Sequence, residues 1–232
     1  MTSCSYAGIA SLAGPCRTAF FLVQHHPVVP LARILVTSRV TDFFQYPALV
    51  GKLVVTEFIT LDGVVEDPSW SFDFNRGEEG EDFKGDELKT ADAQLLGRIT
   101  YQGFAEAWPT MKDTGWFGDK MNGMPKYVVS TTLKDEDATW NNSTVIRNDV
   151  EGHVKRLKNE VGGDILVAGS ANLIQTLVKH NLVDEYRLMV YPIVLGQGKR
   201  LFQEGLPRTT LELVESKHVG PEGVVILTYK PK

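Results

Sequence analysis

Cysteine is almost missing from this chain: of 232 residues only Cys4 and Cys16 carry a thiol, and both lie in the first sixteen. The remainder therefore has no disulfide, no thiolate nucleophile and no cysteine metal site, and a reducing compartment, the cytoplasm, is expected. Long apolar runs are missing too. "AFFLV" near the start is short and lacks the preceding basic region of a secretory signal, so no membrane association is expected. His153, His180 and His218 stand apart, without metal-ligand spacing, and no metal is expected. The chain also lacks a G-x-S-x-G elbow, a G-x-x-x-x-G-K phosphate loop, and the H-x-E and C-x-x-C signature of a zinc deaminase.

What is present is ordinary globular material, 43% hydrophobic and 23% charged, enough for one domain with a full core. The net charge of -5 is unevenly shared. Residues 1–50 hold Arg17, Arg33 and Arg39 against Asp42 alone, so the acidic excess belongs to the rest. An acidic body does not grip a polyanion over a broad face, which argues against a nucleic-acid partner; a phosphate must be held locally. Those first fifty residues have no lysine and no clear periodicity, and suit a transit peptide, a disordered extension, or translation begun upstream. The fold is expected over 51–232, with 1–50 a non-conforming extension.

From Lys52 the pattern is regular. "KLVVTEFIT" is a β-branched strand that stops at "LDG", followed by a polar loop through "EDPSWSFDFNRGEEG". A helix is expected over Glu81 to Ala91, a strand at "AQLLG", and a helix from about Thr100 to Ala107, ended by Trp108 and Pro109. Strands "KYVVST" and "STVI" precede a helix in "DVEGHVKRLKNEV" with Asp149 as N-cap. "DILVAG" then leads into "SANLIQTLVKHN", whose Leu173, Ile174, Leu177 and Val178 share one helical face. Three strand segments without intervening helices close the chain, "EYRLMVYPIVLG", "TTLELVESKHV" and "VVILTYK", the last two joined by "GPEG". The class is α/β: a mostly parallel sheet with helices on both faces and an antiparallel C-terminal edge.

A parallel sheet binds ligands where strands end and helix N-termini present unpaired N–H groups. Two such ends are glycine-rich. At Gly97–Thr100 the backbone can approach a phosphate, Thr100 can add a hydroxyl, and Arg98 can pair with phosphate oxygens. The same residues equally suit a plain strand-to-helix turn with Arg98 in water. "VAGSANL" repeats the logic at Gly169–Asn172, with Ser170 as cap or ligand. Two such turns on one sheet suit a dinucleotide, yet the Rossmann spacing G-x-G-x-x-G is absent, and "LGQGKRL" follows a proline-containing strand.

"ITLDG", "LLGRITYQGF", "PKYVVSTTL" and "ILVAGSANLIQTLVKHNLVDEYRLMVYPIVLGQGKRLF", in that order, make residues 51–230 resemble the reductase domain of riboflavin biosynthesis, the C-terminal part of the bacterial bifunctional deaminase-reductase, with a dihydrofolate-reductase-like fold. The resemblance implies NADPH as cofactor, a small heterocyclic substrate such as a ribosylaminouracil phosphate, and a homodimer. It implies that Gly97, Arg98 and Thr100 meet the adenosine phosphates, that Ser130 and Thr131 lie near the adenosine ribose phosphate, and that Gly169, Ser170, Ala171 and Asn172 form the pyrophosphate turn. It places Asp62 at the nicotinamide and substrate pocket, where a carboxylate can orient substrate or relay a proton; an Asp-Gly turn with no further role reads the same. Glu66, Asp67, Trp70 and Phe72 suit either a loop over the substrate or a solvated one. Lys126, Lys199 and Arg200 are candidates for a substrate phosphate. The acids of "GEEGEDFKGDELK" are expected on a solvated helix face, without the proline-tryptophan entry of true dihydrofolate reductases. A dihydrofolate or pterin reductase, and a non-catalytic nucleotide-binding dimeric module, are the alternatives.

Overall fold

The computed structural model describes residues 50–232; the expectations for residues 1–49 lie outside the described part. The domain is an eight-stranded sheet in the order β4-β3-β2-β5-β1-β6-β8-β7. In chain order the strands are β1 (Leu53–Thr60), β2 (Ala91–Gly97), β3 (Lys126–Val129), β4 (Ser143–Ile146), β5 (Asp164–Val167), β6 (Glu185–Tyr191), β7 (Leu211–Val219) and β8 (Val224–Pro231). Pairing from β4 across to β6 is parallel, and β8 runs against both β6 and β7. The α/β class and the antiparallel edge are as expected.

Residue alternation along the buried strands builds two core layers. Leu53, Val55, Leu95, Ile165 and Val167 face helices α4 (Val150–Glu160) and α5 (Ala171–Lys179), whose Leu173, Ile174, Leu177 and Val178 are all buried. Val54, Leu96, Val128 and Leu166 face the other way, against α1 (Gly77–Thr90), α2 (Arg98–Ala107) and α3 (Gly115–Gly123). A third cluster, under β6 and β8, gathers Met189, Tyr191, Val224 and Ile226 with Phe58, Trp70 and Phe74 packed on it.

Local differences from the sequence expectation have local causes. Helix α1 begins at Gly77, four residues before the expected Glu81, with Glu78 and Glu79 in its first turn complementing the helix dipole. The nine-residue α3, "GWFGDKMNG", forms although its three glycines oppose a helix. Packing overrides them: Met121 is buried and Phe117 stacks on Trp108 with ring centroids 5.6 Å apart. β6 stops at Tyr191 because Pro192 has no N–H to continue the ladder, and 192–200 becomes a loop.

Asp149 caps α4 by accepting from the backbone N–H of Gly152 at 3.1 Å, while its own backbone sits at φ 45, ψ 48. Asp149→Ala loses the cap and leaves a Cβ-bearing residue without a stabilising side-chain bond in left-handed backbone. The expected cost is about 1–2 kcal/mol, read as a lower urea midpoint with an unchanged slope.

Candidate functional site: two glycine turns and a parted strand pair

The carboxyl ends of β2 and β5 are locked together. The Gly97 N–H donates to the Gly169 carbonyl at 3.1 Å. Neither glycine has room for a side chain: a Cβ on Gly97 would collide with the Ser170 hydroxyl, and one on Gly169 would stand 2.6 Å from the Thr100 hydroxyl. Gly169 also adopts φ +102, outside the usual range of L side chains. Because the turns touch, α2 and α5 start side by side. Neither helix has a side-chain cap bond, so first-turn N–H groups remain available to a ligand.

An open cleft of about 380 Å³ lies over these starts, lined among others by Gly97, Arg98, Ser130, Thr131, Ser170 and Asn172. Most of the expected cofactor residues thus converge on one place. Thr100 stands beside the cleft with its hydroxyl against Gly169. Ala171 turns its methyl into the core, leaving only its backbone near the turn. The Ser130 hydroxyl is engaged, accepting from the N–H groups of Thr132 and Leu133 at 3.2 and 2.9 Å, and the turn it makes exposes Thr131 and Thr132. Arg98 reaches along α2 to Gln102 at 2.9 Å and pairs with no carboxylate among the described residues. Ile99, 62% exposed at the rim, was not singled out from the sequence, although an exposed isoleucine beside a basic residue is a readable signal.

A second feature lies two strands away. β1 pairs with β5 only over Leu53–Val55, but with β6 from Val54 through to Thr60 opposite Tyr191. β1 and β5 therefore part above Val55, between a strand whose chain crosses toward β2 and one whose chain crosses toward β6. This is a topological switch point, the position at which open α/β sheets bind ligands.

The loops after β1 and β6 hold β1 to its β6 side. Asp62 is the clasp: its carboxylate accepts from the Thr60 hydroxyl at 2.6 Å and from the backbone N–H groups of Leu195 and Gly196 at 3.2 and 2.9 Å. These bonds, the Thr60 hydroxyl foremost, hold its pKa down at about 2. It is ionised at any physiological pH and has no proton to relay. Arg200 donates to the Asp62 carbonyl at 2.8 Å, and Lys199 pairs with Glu66 at 2.8 Å, so both cations serve the same clasp. Trp70 donates to the Glu66 carbonyl at 3.4 Å, Asp67 precedes a short helix (Pro68–Asp73) in left-handed backbone without a side-chain cap bond, and Phe72 is 85% exposed.

Lys126 as a phosphate ligand needs correction. It starts β3, at the amino end of the sheet, fully buried, and donates to the carbonyls of Asn122, Met124 and Asn141 at 2.8, 2.8 and 3.0 Å above the Trp140 ring. Burial lowers its pKa to about 8. It ties α3 to β3 and faces no cleft. One acid of α1 is likewise not solvated: Glu87 is buried, paired with Lys84 and accepting from the Thr56 hydroxyl at 3.0 Å, with Arg187 4.0 Å away.

The most informative residue missed in the sequence is Glu57. It interrupts "LVVTEFIT" where alternation calls for an apolar side chain, and it is buried at the parted strand pair with Oε1 lacking any hydrogen-bond partner. Burial raises its pKa to about 8, opposed only in part by Lys84. Among the described residues, no three His, Cys, Asp or Glu side chains form a metal set, and no helix is long and apolar enough to cross a membrane.

The family profile of the RibD C-terminal domain matches residues 51–225. The chain belongs to that family. The RibD C-terminal family is reductase-related, which supports an oxidoreductase in general. The chain is also 30% identical over 181 residues to the Bacillus subtilis protein YyaP, covering 77% of this chain and 94% of that one. Its fold is similar to that of a Shewanella sp. PV-4 protein named for riboflavin biosynthesis, with TM-score 0.65 and 19% identity over 78% of this chain and 99% of the other. It is similar as well to dihydrofolate reductase from Enterococcus faecalis complexed with NADP(H), with TM-score 0.53 and 16% identity over 79% of this chain and 98% of that one. The dihydrofolate-reductase-like fold read from the sequence is the fold observed.

Glu57 makes stability depend on pH in a defined direction. Its folded pKa, about 8, stands above its ordinary 4.5, so between these values the folded chain holds a proton that the unfolded chain has lost. Its favourable contribution is complete below pH 4.5 and is lost as pH rises through 8. Glu57→Gln removes this slope: wild type should lose roughly 3–5 kcal/mol relative to the variant between pH 5 and pH 8.5, measured by urea unfolding at each pH.

Proposed function

We propose that this protein is an NADPH-dependent reductase of a small heterocyclic substrate. The observation that carries the reading is the cleft over the touching glycine turns. Two uncapped helix starts, the Arg98 guanidinium and a hydroxyl-bearing turn surround one space that suits a phosphorylated nucleotide. The absence of side chains at Gly97 and Gly169 lets the two turns touch, with Ser170 and Thr100 filling the space between them, which brings both helix starts to one place where a pyrophosphate can lie. Arg98 is assigned to the phosphate on the adenosine ribose, the group that separates NADPH from NADH, with Thr131 and Thr132 adding hydroxyls. The family membership and the likeness to a reductase complexed with NADP(H) support the same cofactor.

When bound, the reduced nicotinamide supplies a hydride; the chain supplies position and a dry floor. The parted edge of β1 is the proposed seat for the nicotinamide end. On the α1 face of β1, Phe58, Trp70 and Phe74 each meet Tyr191 edge-on, with centroids 5.5, 5.4 and 5.6 Å apart, and Arg76 lies 5.1 Å over the Phe58 ring. This set, with Tyr191 fully buried and Arg76 and Lys84 over the Phe58 ring, closes the α1 side of β1 and backs the seat. Asp62, with both carboxylate oxygens engaged by the clasp, acts by holding this wall. A pterin is the second reading, favoured by Glu87, a buried carboxylate on the first helix; Lys84 and Thr56 already occupy it.

The test is a fluorescence titration with NADPH and NADH. Wild type should prefer NADPH, and Arg98→Ala should weaken NADPH by about 10- to 100-fold, the worth of one charge-assisted contact, while leaving NADH within a few-fold. Equal weakening of both nucleotides would move Arg98 away from the ribose phosphate, and no binding of either would leave the cleft as scaffold.

A further inference from the structure

Glu57 lies two residues past the point where β5 leaves β1, so nothing from β5 pairs with it. By alternation it shares a face with Val55 and Ile59, and its neighbour on β6 is Leu188. A buried carboxyl oxygen without a partner is a cost that a sheet position has no structural reason to bear. An apolar residue would fill the same place. The surrounding charges do not satisfy it. Among the described residues Lys84 of α1 is the cation that acts on it, and Lys84 is engaged by Glu87 and the Thr56 hydroxyl. Glu185 and Arg187 of β6 stand opposite Val54 and Thr56, on the other face, where Arg187 binds Asp164 and Glu185. In the clasp, Lys199 pairs with Glu66 and Arg200 with Asp62. From α5 the polar residue is Gln175, which donates to the Leu201 carbonyl and accepts from the Gln203 N–H.

A buried, unpartnered carboxyl set beside the parted edge of β1 is suited to a ligand whose charge changes there. Resting on the cofactor reading above, we propose that Glu57 is the proton partner of the nicotinamide: neutral beside the uncharged reduced ring, ionised beside the positively charged oxidised ring. When bound, the dihydronicotinamide would supply a hydride, a proton with two electrons, for the new C–H bond on the substrate. The Glu57 O–H bond breaks, and its proton goes to the substrate heteroatom next to that carbon. The carboxylate left behind balances the positive ring, and solvent reprotonates it once the oxidised cofactor has gone. An opposite charge at close range in a poorly solvated site favours the ionised form, which gives the coupling its sign.

The two oxidation states provide the experiment without any substrate, and both carry the same ribose phosphate, so its own titration cancels between them. Binding of NADP+ and NADPH is measured by calorimetry from pH 6 to 8.5, in buffers of different ionisation enthalpy. For wild type, NADP+ should tighten by about tenfold or more relative to NADPH as pH rises, and near pH 7 its binding should release up to one proton more than NADPH binding does. Glu57→Gln should still bind both nucleotides, with the wild-type circular dichroism, and show neither difference. The infrared carbonyl band of a neutral carboxylic acid gives a readout on wild type alone: present with NADPH, lost with NADP+. Equal proton release for both nucleotides, or a difference that persists in Glu57→Gln, overturns the proposal while leaving the cofactor reading intact. If neither nucleotide binds, the cofactor reading fails and the proposal with it.

Discussion

The contact between Gly97 and Gly169 is the constraint on which the rest of the site depends. One backbone hydrogen bond joins the carboxyl ends of β2 and β5, and the missing side chains let Ser170 and Thr100 fill the space between them. Two helices consequently begin within reach of one anion, with unpaired N–H groups and the positive ends of both dipoles directed at the same cleft. Neither turn alone would make such a site. Their contact turns two ordinary strand-to-helix junctions into a cradle.

The other half of the site follows from how β1 divides its pairing. Seven register pairs bind it to β6 and three to β5, so its upper half belongs to β6 and its free edge faces the crevice. Asp62, Arg200, Glu66 and Lys199 maintain that preference by joining the loop after β1 to the loop after β6. The acidic, basic and glycine residues of "LDG" and "LGQGKR" thus act on the site through the position of β1. Glu57, set into the parted region, is a buried carboxyl with one oxygen left without a hydrogen-bond partner among the described residues.

Much of this was legible before the structure. The class, the order of elements and the two glycine turns follow from β-branched runs, helical periodicity and glycine at strand ends, all local signals. Asp149 was readable as a cap because its neighbours were. What escaped depends on non-local partners. Lys126 looks like any cation until three carbonyls from α3 and the β4 approach surround it. Glu87 is indistinguishable in sequence from the solvated acids around it, and only the position of Thr56 on β1 selects it. The helix α3 defies propensity because Trp108 and Phe117 pack it down. Glu57, like Ile99, carried a signal that sequence reading had available, in its case a carboxylate inside a strand of otherwise apolar residues and threonines.

The account's central claim is that one dinucleotide spans from the cleft over Gly97 and Gly169 to the parted edge of β1. A crystal structure of the protein grown with NADP+ tests it most directly. The pyrophosphate should lie against both glycine turns, with the adenosine ribose phosphate within hydrogen-bond distance of Arg98 and the nicotinamide ring over the β1 edge beside Glu57. A nucleotide bound elsewhere, or one whose ring points away from β1, would contradict the account.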